Sequence, residues 1–170
     1  MLNITNIENT LYAWVSEVTE LATIFAHPNA PRPTTPYALI NIIQSEPKGI
    51  AGHKETLLLD DSIDVEYSTL EEIFVSINTY YSGAYQLATK IKDSLGRITI
   101  QEQLLAGGLG YMSAGSVQDI PEEINKKFEE RGQFDCSFLT RSLDTENIET
   151  IQKIEVTNEI EDTTTVIEKP

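Results

Sequence analysis

Residues 73–95 read IFVSINTYYSGAYQLATKIKDSL, a strand that runs directly into an amphipathic helix. Ile73, Val75 and Ile77 alternate with Phe74, Ser76 and Asn78, the period-2 pattern of a strand with one apolar face. Ser82 stands where a helix N-cap is expected, and Gly83 lets the chain turn. Tyr85, Ala88 and Ile91 follow at helical spacing, as do Leu87, Ile91 and Leu95, and Gly96 takes the C′ position. Tyr80, Tyr81 and Tyr85 crowd the junction, and no catalytic cluster surrounds it.

Upstream, Ile7, Leu11, Trp14, Val15, Val18, Leu21, Ala22 and Phe25 form a stripe with a 3.6-residue period, which predicts a helix from about Asn6 to Ala26. Four prolines between Pro28 and Pro36 end it and read as a stiff connector or an arm that packs on a neighbour. Tyr37–Ile43 reads as a buried strand, and Lys48–Lys54 as a polar loop. Glu55–Tyr67 reads as a second strand, pairing antiparallel with the strand at Ile73.

Downstream, a helical turn is expected near Gln101–Leu105, then tight turns at Gly107, Gly108, Gly110 and Gly115. Pro121–Phe128 reads as one helical turn, with Pro121 at N1 and Glu122 and Glu123 at its positive end. Phe134, Cys136, Phe138 and Thr140 alternate with polar neighbours and predict a strand. A turn is expected at Leu143–Asn147 and a last strand at Ile151–Val156. The whole is an α+β pattern: a single domain over residues 1–160, a mainly antiparallel sheet with two principal helices on one face. Residues 161–170 read as an acidic, flexible tail.

The 170 residues carry one cysteine and a formal net charge of −15. That surface repels phosphate backbones, which argues against tight nucleic-acid binding. No stretch approaches the roughly 20 apolar residues of a membrane span, and the N-terminus lacks signal-peptide character. The reading therefore keeps the chain in the host cytoplasm, away from membranes. Cys136 has no partner for an intrachain disulfide.

Each test for chemistry fails. Asp60 and Asp61 are adjacent, so on a strand they point to opposite faces; only Asp60 and Asp64 could share one, no histidine but His53 is a candidate to complete a metal site, and a solvated edge or turn is the favoured reading. His27 and His53 sit in no ligand spacing. GGLGYMSAGS lacks both the ending of a P-loop and the GxGxxG pattern, and Ser113 and Ser116 have no GxSxG context. No enzyme activity, cofactor or metal is expected. The tyrosines Tyr80, Tyr81, Tyr85 and Tyr111 read as candidates for a protein–protein interface, because tyrosine joins apolar area to a hydrogen-bonding tip.

PRPTTPYALINI (Pro31–Ile42), VSINTYYSGAYQLATKIKDSL (Val75–Leu95), GLGYMSAGSVQDIPE (Gly108–Glu122) and FEERGQFDCSFLTRS (Phe128–Ser142) occur in order. In these pieces the chain resembles the bacteriophage neck or tail terminator proteins, also called tail-completion proteins. The resemblance implies an α/β domain that assembles as a ring, commonly hexameric. Such a ring caps the tail tube, stops its growth and meets the head-side connector, with the tail sheath as a further possible neighbour. It implies residence in the virion neck, with genomic DNA passing through the lumen unbound. Asp60, Asp61 and Asp64 are the candidate lumen-facing acids. Two other readings stay open: a different phage connector or baseplate subunit, and a small acidic enzyme or ligand-binding domain.

Overall fold

The computed structural model describes residues 2–26, 32–58, 62–124, 127–148, 153–158 and 163–168. Three helices lie among them: α1 (Ile4–Thr19), α2 (Ala84–Ser94) and α3 (Ile98–Ala106). The strands are β1 (Ala22–Phe25), β2 (Tyr37–Leu57), β3 (Ile63–Tyr80), β4 (Gly110–Ala114), β5 (Gln118–Asp119), β6 (Glu122–Ile124), β7 (Lys127–Glu129), β8 (Arg131–Ile148), β9 (Lys153–Asn158) and β10 (Thr163–Glu168). The fold is α+β with a mainly antiparallel sheet, as the sequence predicts.

The chain divides into two units. The first comprises Met1–Ile50 and Thr69–Ser142, and the second Ala51–Ser68 and Leu143–Pro170. The main sheet runs β1-β2-β3-β8-β4, with β5 also on β8. β1 pairs with β2 in parallel, and β4 and β5 pair with β8 antiparallel.

One core fills the first unit. Ile73, Val75 and Ile77 of β3 and Phe134, Cys136 and Phe138 of β8 are buried against Leu11 and Trp14 of α1, Ala88 and Ile91 of α2, and Leu104 of α3. All three helices therefore cover the same face of the sheet. Trp14 meets Phe138 edge-on, with ring centroids 5.8 Å apart, and its indole N–H donates to Ser94 Oγ at 2.9 Å. Burying side chains of this size stabilises the fold by about 1.5–3 kcal/mol each. Asn6 Nδ2 ties α1 to the end of α3 by donating to the Gly107 carbonyl at 2.8 Å.

The structure corrects several boundaries. α1 stops at Thr19, not Ala26, where Glu20 turns into the left-handed region (φ 57°). The Thr19 hydroxyl donates back to the Val15 carbonyl, and Ala22–Phe25 leave to pair with Tyr37–Ile40. β-branched Thr23 and Ile24 suit that strand. The expected loop at Lys48–Lys54 lies within β2, and the expected Glu55–Tyr67 strand is divided between the end of β2 and the start of β3, which runs on through Ile73 to Tyr80 and neighbours β2 in the sheet. Ile43–Leu57 is exposed throughout, so no alternation marks it as strand. The expected turn at Leu143–Asn147 likewise belongs to β8.

Residues expected as a helical turn at Pro121–Phe128 instead supply β6 and β7, which pair antiparallel. The helix expected near Gln101 begins earlier and becomes α3. Arg97 at its N-cap offers no side-chain cap, so the start carries no sequence signal.

In the second unit, Asn147 Nδ2 donates to Ser62 Oγ at 3.1 Å and to Asp64 Oδ1 at 2.7 Å. Tyr67 donates to Glu146 at 3.3 Å. β9 and β10 form an antiparallel pair from Lys153↔Glu168 to Asn158↔Thr163.

Candidate interaction surface at the β3–α2 junction

β3 ends at Tyr80, and Tyr81 makes the turn with φ 72°, a conformation that is strained for an aromatic residue. Gly83, not Ser82, is the N-cap of α2, with no side-chain cap of its own. The acceptor comes from far along the chain: Glu130 Oε2 takes the Gly83 N–H at 2.7 Å, and the Glu130 carbonyl takes the Tyr81 N–H at 3.1 Å. A carboxylate at a helix N-terminus is favourable. The Thr79 hydroxyl, fully buried, lies 2.8 Å from the Ala84 carbonyl and 3.2 Å from that of Gly132.

Around this turn the tyrosines split into two groups. Tyr80 stacks on Tyr37, with centroids 4.7 Å apart and planes 13° apart, and Tyr81 meets Tyr37 edge-on at 6.1 Å. Arg32 lies over all three rings, closest to Tyr80 at 4.8 Å. Its Nε donates to Tyr37 Oη at 2.8 Å, and its guanidinium also pairs with Glu129. Tyr81 Oη donates to the Pro33 carbonyl at 2.9 Å. Arg131 also lies near Tyr80, 5.5 Å from the ring centroid, and donates to Asn78 Oδ1 at 2.8 Å. Arg32 and Pro33, the described end of the proline-rich connector, are thus clipped onto their own chain. Burial pushes the Tyr37 phenol above its ordinary pKa, with the Arg32 hydrogen bond opposing.

Tyr85 and Tyr111 differ. Tyr85 opens the outer face of α2 and is 45% exposed; Tyr111, on β4, is 36% exposed with its ring 6.2 Å from Phe138. Tyr80, Tyr81 and Tyr37 therefore build the junction, while Tyr85 and Tyr111 present aromatic surface to solvent.

The acids expected together are not all visible as a group. Asp64 accepts from Asn147, and Asp60 and Asp61 lie outside the described residues. Cys136 is buried, its thiol pKa pushed far up by desolvation, so the thiolate that reacts is suppressed. Among the described residues no group of His, Cys, Asp and Glu is placed to hold a metal ion, and no helix is long and apolar enough to cross a membrane.

Arg32, Tyr37, Glu129 and Arg131 carry much of the junction, and spacing alone does not reveal them. They come from two segments, residues 32–37 and 129–131, far apart in the chain. Four arginines in 170 residues was the available hint.

A family model described as phage neck terminator protein matches residues 5–163. No curated protein matches the chain.

Proposed function

Because the chain belongs to the phage neck terminator family, a family of structural proteins of the virion neck and tail, we propose that it forms a closed ring on the end of the tail tube. Six copies is the expected number. The ring ends tube growth and offers its other face to the head-side connector. Subunits assemble in the host cytoplasm before joining the virion. A ring needs a head-to-tail interface whose rotation closes, so two different surfaces of one subunit must be complementary. Tyr85 and Tyr111 are the aromatic residues we assign to such surfaces, since both are exposed and neither belongs to the Arg32 cluster. Asp60, Asp61 and Asp64 are proposed to face the lumen, where negative charge lets DNA slide without being held.

The family match across residues 5–163 is the observation that carries this reading. Its test is electron microscopy of purified tail tubes with and without the protein. The expected result is a ring at one tube end and no further elongation on adding tube subunits. Tubes that stay bare and keep elongating overturn it.

A further inference from the structure

The basic residues of this acidic chain are unevenly placed. Between Tyr85 and Ile100 stand Lys90, Lys92 and Arg97 against a single acid, Asp93. Lys90 and Arg97 are exposed, and none of the three forms an ion pair among the described residues. Arg32, Lys48 and Arg131, by contrast, are all engaged by glutamates. On α3, Ile98 is 73% and Leu105 67% exposed. Seven residues apart on α3, they share one side of the helix. The α2–α3 corner therefore joins an exposed apolar pair on α3 to Arg97, next to Ile98 in the chain, and to Lys92, which stands seven residues from Tyr85 on one side of α2.

The complementary charge lies in the same chain. The second unit, Ala51–Ser68 and Leu143–Pro170, holds thirteen Asp and Glu against three Lys, a net −10 of the whole chain's −15. We infer that the α2–α3 corner is the seat on which the acid-rich unit of a second copy of this chain docks. The inference rests on the ring reading above and deepens it, naming the two unlike surfaces that a head-to-tail contact needs. Opposite charges set register and speed encounter, while the apolar pair supplies burial. DNA is a poor occupant, because the net charge of −15 opposes it.

The test uses the full chain with tail tubes, with rings counted by electron microscopy and assembly followed by sedimentation. Circular dichroism checks that each variant folds. K90E/K92E/R97E is expected to lower ring assembly about tenfold or more, and E55K/D144K/E146K/E149K/E155K/E159K, which turns the acid-rich unit's net charge from −10 to +2, to do the same. Mixing the two variants in equal amounts should restore rings, since each reversed surface then meets its complement on the other variant. Wild-type assembly should weaken as salt rises and the screening length falls below about 8 Å. Rings formed by K90E/K92E/R97E at wild-type level overturn this inference and leave the ring reading standing. Loss without restoration on mixing excludes a second copy as the occupant and overturns it as well. Absence of rings from the wild type overturns both.

Discussion

The guanidinium of Arg32 lies 4.8 Å from the centroid of the Tyr80 ring, joining the connector ahead of β2 to the last residue of β3. A charge over an aromatic face is attracted by the ring quadrupole, and here three rings share one cation. The contact holds the start of β2 against the β3–α2 turn, so the same residues that shape the fold also fix where the outer face of α2 begins.

Arg32→Ala should destabilise the protein by roughly 1–2 kcal/mol in chemical denaturation. Arg32→Lys should recover only part of this, because an ammonium lacks the planar fork that reaches Tyr37 and Glu129 together. The variant should also raise the Tyr37 pKa further, since the opposing hydrogen bond is lost. In the wild type the raised value makes Tyr37 stabilising below the unfolded phenol pKa near 10 and less so as pH climbs through the folded value. Ultraviolet titration of the tyrosines reads this directly, and an unchanged titration would remove Arg32 from the account.

Ser94→Ala should cost about 1–3 kcal/mol, because it leaves the fully buried Trp14 indole N–H without its acceptor. As the only tryptophan, Trp14 gives the readout: its emission should shift in the folded variant. Pairing the change with Trp14→Phe in a double-mutant cycle should recover the coupling, since the orphaned donor is then gone.

The sequence was most legible where one face is buried and least where none is. Ile73, Val75 and Ile77 alternate because their face meets the apolar core, while Ser76 and Asn78, also buried on the other face, hydrogen-bond to each other and to Gln133 and Arg131, so the period survives in the text of the chain. The exposed half of β2 has no such constraint, so Gly49 and Gly52 looked like loop residues. Leu21 and Phe25 fit a helical stripe and a strand equally well, and pairing with Tyr37–Ile40 decided the matter. At the junction the tyrosines were visible, but their partners were not. Arg32, Glu130 and Arg131 reach them across long sequence separations that no local spacing encodes.

Glu72 should govern part of the acid limb of stability. Lys48 Nζ lies 2.7 Å from its carboxylate, and the hydrogen bond from Lys48, with a second from Ser137, holds the Glu72 pKa below its ordinary value. A lowered folded pKa gives stability that is present above the unfolded value near 4.5 and lost as pH falls through the folded one. Glu72→Gln should therefore flatten the stability profile below about pH 4.5 relative to wild type. Equal slopes for the two proteins over that range would contradict the assignment.

Gly132→Ala should destabilise by about 1–3 kcal/mol, because an added Cβ would sit 2.7 Å from the Ala84 carbonyl oxygen and 2.9 Å from Thr79 Oγ1. The first neighbour is backbone and cannot swing away. The loss should appear as faster unfolding together with weaker protection of the first turn of α2 in hydrogen exchange. Gly110→Ala is the control, since its Cβ would meet nothing closer than 3.6 Å.

Tyr85 distinguishes an assembly residue from a folding residue. It is 45% exposed, and its backbone carbonyl, not its ring, accepts from Thr89 at 2.9 Å. Tyr85→Ser should then leave monomer stability within about 0.5 kcal/mol of wild type. Ring formation on tail tubes should fall several-fold, as expected when an aromatic anchor leaves an interface. Tyr80→Ser should do the reverse, lowering stability first, because its ring stacks on Tyr37 and lies under Arg32. Measuring both variants by denaturation and by tube binding separates the roles. If Tyr85→Ser unfolds the monomer as readily as Tyr80→Ser, Tyr85 belongs to the core of the junction and the outer face of α2 loses its aromatic anchor.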